Sequence, residues 1–364
     1  MSVDRDRFYR LYGADVSYFT AKVRPALRYK RVPHVELLAT PHAYKDVIIP
    51  RTGLAFIPVV VTDDDEVWQD TSVILDQLEQ RFPDPPLYPG DPVLRVIAYL
   101  FEVYADEFMV LPAMHYRWSF AESVAKARAD FAAVNGDPAA AAKFASRMGG
   151  SIGFLGVSPA SIPGIEAHLA ELLAALSAHF AVHPYLLGAR PSLADHALMG
   201  PLYAHLYLDA VPGRLLRETA PAVCNWMQRC NSPDPSDRGE WATPEALRPT
   251  LRPLLALIGA DAVPLLLDNL RAVDEWAATR PPDTVEPPRM VGGHTTHLRG
   301  AEVQRYTSPY TVWMVQRPLD AYRGLAPAER AAVDDYLRGT GCEALLAFTP
   351  SLRLGKRDFK LVIE

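Results

Sequence analysis

Apolar positions along this chain shift between a period of two and the helical period, and those shifts divide it. Phe8-Tyr9-Arg10-Leu11-Tyr12 alternates like a first strand and is closed by Gly13-Ala14-Asp15. Ser17 stands where a helix cap is expected, ahead of Val23 and Leu27 at helical spacing. Pro25 falls beyond the first turn, removes the bond to the Ala21 carbonyl and predicts a kink. Residues 35–38 read as a second strand, and 41–50 as an irregular or short helical passage. Residues 59–62 and 66–68 predict a hairpin over the polar turn Asp63-Asp64-Asp65. A helix follows from Thr71, with Ile74, Leu78 and Phe82 on one face.

A proline-dense joint (Pro83, Pro85, Pro86, Pro89, Pro92) ends this β-α-β-α-β-β-α order. Beyond it the pattern turns helical: 95–119, 121–133, 162–180 and 214–230, with an Ala/Gly-rich surface passage of weak structure at 135–156. Ser192-Leu193-Ala194-Asp195 is a capping box that opens a helix through Leu198, Leu202 and Leu206. After a polar linker at 231–240, helices are expected at 245–257 and 262–278, then a joint at Pro281-Pro282 and Pro287-Pro288. A hairpin at 294–298 and 302–306, helices begun by Pro309 and Pro327, and strands at 344–348 and 359–363 complete an α+β ending. The divisions are 1–83, a linker at 84–92, an all-helical part at 93–232, and an extension at 233–364.

Composition narrows the class. With 49% hydrophobic and 22% charged residues in 364, the chain is neither disordered nor short of a core. A net charge of −6 and the lack of a long basic run argue against a nucleic-acid partner. Three scattered cysteines, Cys224, Cys230 and Cys342, lack metal-ligand spacing and suggest free thiols in a reducing compartment. The first twenty residues have no signal-type apolar core, and Asp261 and Pro264 interrupt the apolar stretch 254–270. No membrane segment is therefore expected, and a cytoplasmic setting is.

The chemistry centres on Phe56-Ile57-Pro58-Val59-Val60 and on Gln69-Asp70-Thr71-Ser72. A proline in a β-branched run fits the head of an edge strand, where a cis X-Pro bond presents backbone to a ligand. Asp70 and Thr71 start a helix, and helix starts bind carboxylates through free N–H groups. Together these features suit a small zwitterionic peptide.

The combination resembles the glutathione S-transferase family: a thioredoxin-like domain, then a helical domain in which the S-x-x-D folding box opens a buried helix, here with an added α+β extension. The resemblance implies that Phe19, Ile57, Pro58, Asp70 and Thr71 bind glutathione. It implies that Ser17 is the catalytic hydroxyl that stabilises the glutathione thiolate, being five residues ahead of Lys22-Val23-Arg24 as in the serine-type classes. Tyr18 departs from that pattern, in which proline is common. Serine cannot exchange disulfides, which disfavours a redox role. Tyr12 is the rival hydroxyl, read here as packing in the sheet. Tyr116 and Trp118 would face the second-substrate pocket, Tyr104 the core, and Lys45 or Arg51 the glycyl carboxylate.

The implied activity is addition of glutathione, as co-substrate, to a small electrophile, in a homodimer without metal, nucleic acid or membrane. The alternative is a non-catalytic binding or regulatory protein whose extension covers the pocket or recruits a partner. His294 and His297, three apart on a strand, diverge and are not read as metal ligands. Asp63-Asp64-Asp65 lacks the spacing of a calcium loop and is read as a solvated turn.

Overall fold

A computed structural model describes residues 7–234 and 239–364. Its first layer is a four-stranded sheet in the order β2-β1-β3-β4, made of β1 (Tyr9–Gly13), β2 (His34–Leu38), β3 (Val59–Val61) and β4 (Val67–Gln69). β1 is parallel to β2 and antiparallel to β3, giving the mixed sheet of a thioredoxin-like domain. Alternation in β3 sends Val60 into the main core, while Val59 and Val61 join a smaller cluster with Ala39 and Ile48. Helices Thr20–Tyr29 and Thr71–Arg81 bury Val23, Leu27, Ile74 and Leu78 in the main core. The first of them runs on through Pro25.

The helical part departs from expectation in three places. The helix predicted over 95–119 is a pair, Pro92–Val103 and Val110–Trp118, joined by a π turn at Tyr104–Phe108 that holds Asp106 buried. The supposedly weak passage at 135–156 contains a helix, Pro138–Gly150, capped by Asp137. Its Ala141 and Ala145 are buried beside the helix Ala121–Asn135, so the alanines form a close-packing face. The single helix expected at 214–230 is two, Ala210–Thr219 and Pro221–Asn231, because Pro221 cannot continue the first. By contrast, helix Ile162–Phe180 and the capping box at Ser192, which opens helix Leu193–Met199, stand where the pattern put them.

Part of the linker expected at 231–240 lies outside the described residues, at 235–238. Its far end is pinned, because Ala189 N–H donates to the Glu240 carbonyl and Ala242 N–H to that of Leu187, both at 3.0 Å.

The extension then begins with a continuous rod. Pro244–Leu257, a π turn at Ile258–Ala262, and Val263–Thr279 succeed one another without a break. Asp261 lies inside the π turn and Pro264 just after it, so neither ends the helix as the spacing implied. The rod is long and apolar enough to cross a membrane, and 56% of its most apolar window is buried against the protein. The hairpin β5 (Gly292–Leu298) and β6 (Ala301–Thr307) follows, then helices Pro309–Arg323 and Pro327–Leu337. The strand expected at 344–348 is instead a short helix, Glu343–Ala347, built from strong helix formers. The last hairpin is β7 (Leu354–Arg357) and β8 (Lys360–Ile363). One apolar cluster runs through Leu11, Phe101, Leu270, Met314 and Leu354, so the extension shares its core with the rest of the chain.

Candidate functional site

Strand register gathers the predicted ligands. Tyr12 of β1 pairs with Val59 of β3, and Val59 with Gln69 of β4. The loop after β1, Pro58 and Asp70 therefore meet at one end of the sheet. The Ile57–Pro58 bond is cis. β3 is an inner strand, not the edge strand expected, since β4 flanks it. The proline is tolerated because it precedes the first ladder residue and so withholds no ladder donor. Pro58 is buried, Ile57 is half-buried, and Phe56 is exposed with the Arg289 guanidinium 4.4 Å from its ring centroid.

Ser17 is half-buried at the entry to the first helix. That helix begins at Thr20, with Phe19 at the cap position. Ser17 nevertheless acts as a cap, its Oγ accepting the Thr20 N–H at 3.3 Å and its carbonyl the Ala21 N–H at 3.1 Å. Accepting one N–H leaves the hydroxyl proton to donate. Phe19 is 38% exposed. Tyr18, in the place of the common proline, is buried and donates its hydroxyl to the Ala105 carbonyl. Burial pushes its phenol well above the usual range, so Tyr18 holds the loop and offers no acid. Its ring also packs tightly on Gly200, where a Cβ would come to 3.0 Å of Tyr18. Tyr12 packs on the smaller apolar cluster, as expected of a sheet residue.

Asp70 caps the helix Thr71–Arg81, its Oδ1 accepting the Ser72 N–H at 3.1 Å. It does so at φ 75°, a backbone region disfavoured for a side-chain-bearing residue and enriched at functional positions. Thr71 and Ser72 are buried behind it. The other carboxylate oxygen, Oδ2, already has two partners from the extension: the Tyr310 hydroxyl at 2.8 Å and the Lys356 ammonium at 3.0 Å. Lys356 Nζ also lies 5.0 Å from the Tyr310 ring centroid and 4.7 Å from that of Trp313.

Behind this point lies a buried ionic cluster. Lys22 Nζ, fully enclosed, donates to Ser72 Oγ (3.1 Å), Glu102 Oε1 (2.8 Å) and Asp106 Oδ2 (2.6 Å). Arg317 of the extension donates to Glu102 Oε2 at 2.8 Å and forks onto both oxygens of Asp76 at 2.7 and 3.0 Å. Burial raises the carboxyl of Asp106, whose Oδ1 is buried without a hydrogen-bond partner. Burial would raise Glu102 as well, but Arg317 and Lys22 outweigh it and hold that carboxyl low. Arg24 takes no part, pairing with Asp15 and Glu36.

The remaining expectations fare unevenly. Tyr116 is buried and stacks on Phe120 at 5.4 Å, and half-buried Trp118 stacks on Phe131 of the helix Ala121–Asn135 at 6.3 Å. Tyr104 is core, its hydroxyl 2.6 Å from His168 Nε2. Arg51 is engaged by Asp65 at 2.8 Å, and Lys45 is exposed. His294 and His297 alternate between a half-buried and an exposed position, and no metal-binding group of three or more His, Cys, Asp or Glu occurs among the described residues. A cavity of about 580 Å³ opens elsewhere, between the rod and β5, lined by Asp268, Trp276, Gly293 and His294. Tyr310, Trp313, Arg317 and Lys356 were missed, because nothing in a short basic strand or an apolar helix says which distant carboxylate it will meet.

Two family models match the chain: glutathione S-transferase, N-terminal domain, over residues 11–86, and glutathione S-transferase, C-terminal domain, over 165–234. Similar solved structures include the β-etherase LigF from Sphingobium sp. strain SYK-6, at 18% identity and TM-score 0.46, covering 64% of this chain and 97% of that one. A glutathione S-transferase from Rhodospirillum rubrum is 20% identical with TM-score 0.42, covering 68% and 91%. Another from Methylobacterium radiotolerans, in complex with glutathione sulfonate, is 22% identical with TM-score 0.39, covering 65% and 96%. No curated protein matches the chain.

Proposed function

Because this chain belongs to the glutathione S-transferase family, we propose that it binds glutathione at the end of β3 and activates its thiol toward a small electrophile. The observation carrying this reading is the register that brings the Ser17 loop, cis-Pro58 and Asp70 to one sheet end. The site suits the ligand on chemical grounds, since Asp70 already accepts from a primary ammonium, that of Lys356. Asp70 takes the γ-glutamyl ammonium, and the helix start at Thr71 takes its carboxylate. The backbone of Ile57 pairs with the cysteinyl residue, and Phe19 screens the sulfur. Ser17 donates to the sulfur and so favours thiolate over thiol, aided by the N-terminus of its helix. The thiol proton leaves to solvent, and the sulfur lone pair forms the new bond to carbon as the leaving group departs with its electrons. A homodimer in a reducing cytoplasm is part of the same proposal, checked by sedimentation of the purified chain.

A second reading is favoured by one contact. Asp70 is engaged by Tyr310 and Lys356, as in a regulatory protein whose extension covers the site. Thiolate absorbance of bound glutathione against pH separates the two. Under the enzyme reading, wild type lowers the thiol pKa, and Ser17→Ala binds at acidic pH but loses that lowering along with turnover. Bound glutathione with an unshifted thiol would leave Ser17 as a helix cap only and favour the regulatory reading.

A further inference from the structure

The contacts on Asp70 describe more than a blocked carboxylate. Its Oδ2, Tyr310 and Trp313 surround a single ammonium: one charged acceptor at 3.0 Å and two aromatic faces at 5.0 and 4.7 Å. This combination recognises a cation by charge-assisted hydrogen bonding and by ring quadrupoles together. The three parts come from different regions: Asp70 from the sheet domain, and Tyr310 and Trp313 from the helix Pro309–Arg323. Their rings lie 5.3 Å apart at 43°, and Tyr310 donates to the same Oδ2 that Lys356 uses.

The occupant sits on a short element near the end of the extension. Lys356 belongs to β7, which with β8 makes a two-stranded hairpin of four residues per strand. Such hairpins are marginal in isolation. Its turn residues Asp358 and Phe359 have φ of 48° and 65°, where a bulky aromatic is disfavoured. Several of its fastenings are exposed, among them Arg353 to Asp320 and Lys360 to Glu286. Others are buried or backbone-made: Leu354 and Val362 are buried, Gln316 exchanges two hydrogen bonds of 2.9 Å with the Leu354 backbone, Ile363 N–H donates to the Val285 carbonyl at 2.8 Å, and Leu361 and Ile363 pack on the core. The helix beneath has its own anchor in Arg317 to Asp76 and Glu102, contacts that do not pass through the hairpin, so Tyr310 and Trp313 keep their places when the Lys356 side chain leaves Asp70.

We propose that Asp70, Tyr310 and Trp313 form a cage for a primary ammonium, that Lys356 is its built-in occupant, and that the γ-glutamyl ammonium of glutathione enters by displacing it. The proposal rests on the glutathione reading and adds the extension's two aromatic residues to the ligand site. It also makes the last hairpin a competitive inhibitor in cis, lowering apparent affinity by the fraction of time the cage is empty.

The test is glutathione titration of the full-length chain, wild type against Lys356→Met and Lys356→Arg, followed by calorimetry. A parallel ligand is glutaryl-cysteinylglycine, which lacks the α-ammonium. Lys356→Met should bind glutathione at least about tenfold more tightly, or about 1.4 kcal/mol. Lys356→Arg should resemble wild type, and the glutaryl ligand should gain little from the Met variant. Equal glutathione affinity in wild type and Lys356→Met, or equal gain by both ligands, overturns the cage while leaving the glutathione site standing. Failure of every protein to bind millimolar glutathione overturns the glutathione reading, and the cage with it. Should Lys356→Met misfold, wild type alone decides: saturating glutathione should speed amide exchange at residues 354–363, and unchanged exchange overturns the proposal.

Discussion

Arg317→Met tests how firmly the extension is locked to the transferase fold. Arg317 bridges Glu102, a carboxylate with no solvent exposure, and Asp76, whose side chain is 35% exposed, while its guanidinium lies 5.2 Å from the Tyr99 ring. Methionine keeps much of the stem's volume but removes all three charged contacts. Asp76 can be rehydrated, so its loss is small. Glu102 cannot, and removing one partner of a buried pair costs about 3–5 kcal/mol. Glu102 keeps Lys22 at 2.8 Å and Ser72 at 2.6 Å, which puts the expected loss at the low end, about 3 kcal/mol. Urea denaturation of wild type and variant measures it, and a cycle with Glu102→Gln isolates the pair, with about 1–3 kcal/mol of coupling expected. A midpoint within about 0.5 kcal/mol of wild type, or strictly additive single changes, would refute the claim that this pair locks the extension.

Ser192→Ala should cost about 1 kcal/mol by removing a cap hydroxyl, whereas Asp195→Ala should cost about 3 kcal/mol or more. The second change strands the Leu186 and Ser192 N–H groups and the Trp226 indole, all buried donors to that carboxylate; equal midpoints for the two variants would show the box is misread. Burial pushes His196 down to about 3, so it is neutral when folded, while the unfolded chain takes up a proton below its ordinary 6.5. The stability it contributes is full above that value and falls with pH by about 1.4 kcal/mol per unit toward the folded value; His196→Leu should flatten the stability profile between pH 6.5 and 4, and an unchanged slope would count against it. A chain ended at Ser232 loses partners for Phe101 and Leu172 in the shared core and should aggregate or melt well below the full chain; a melting point equal to wild type would make the extension an independent unit.

Much of the first two domains was legible in the sequence because local signals agreed with the fold. Alternation at Tyr9–Gly13, the hairpin over Asp63-Asp64-Asp65 and the capping box at Ser192 each depend on neighbours within a few residues. The errors came where tertiary packing overrode local cues. Pro264 does not end the rod, because the π turn ahead of it re-forms the helix and Asp261 is satisfied by His168 and Arg299. Ala141 and Ala145 looked featureless, yet they are the contact face of a helix pair. The proposed site was half legible: Pro58 and Asp70 announce themselves by residue type, while Lys356 does not, since its partner is 286 positions away. The stripe of Tyr116 and Trp118 is harder to read, as a helical aromatic stripe looks the same in a pocket wall and a packed layer.

That separation sets an order of events in biosynthesis. A chain made from its amino end completes β3, Asp70 and the Thr71 helix well before Tyr310, and Tyr310 well before Lys356. The Asp70 carboxylate is therefore made without its Tyr310 and Lys356 partners and meets them only once the extension has emerged. Contacts of such long sequence separation close last and slowly, so the newly made protein passes through an open form even if the finished one seldom does.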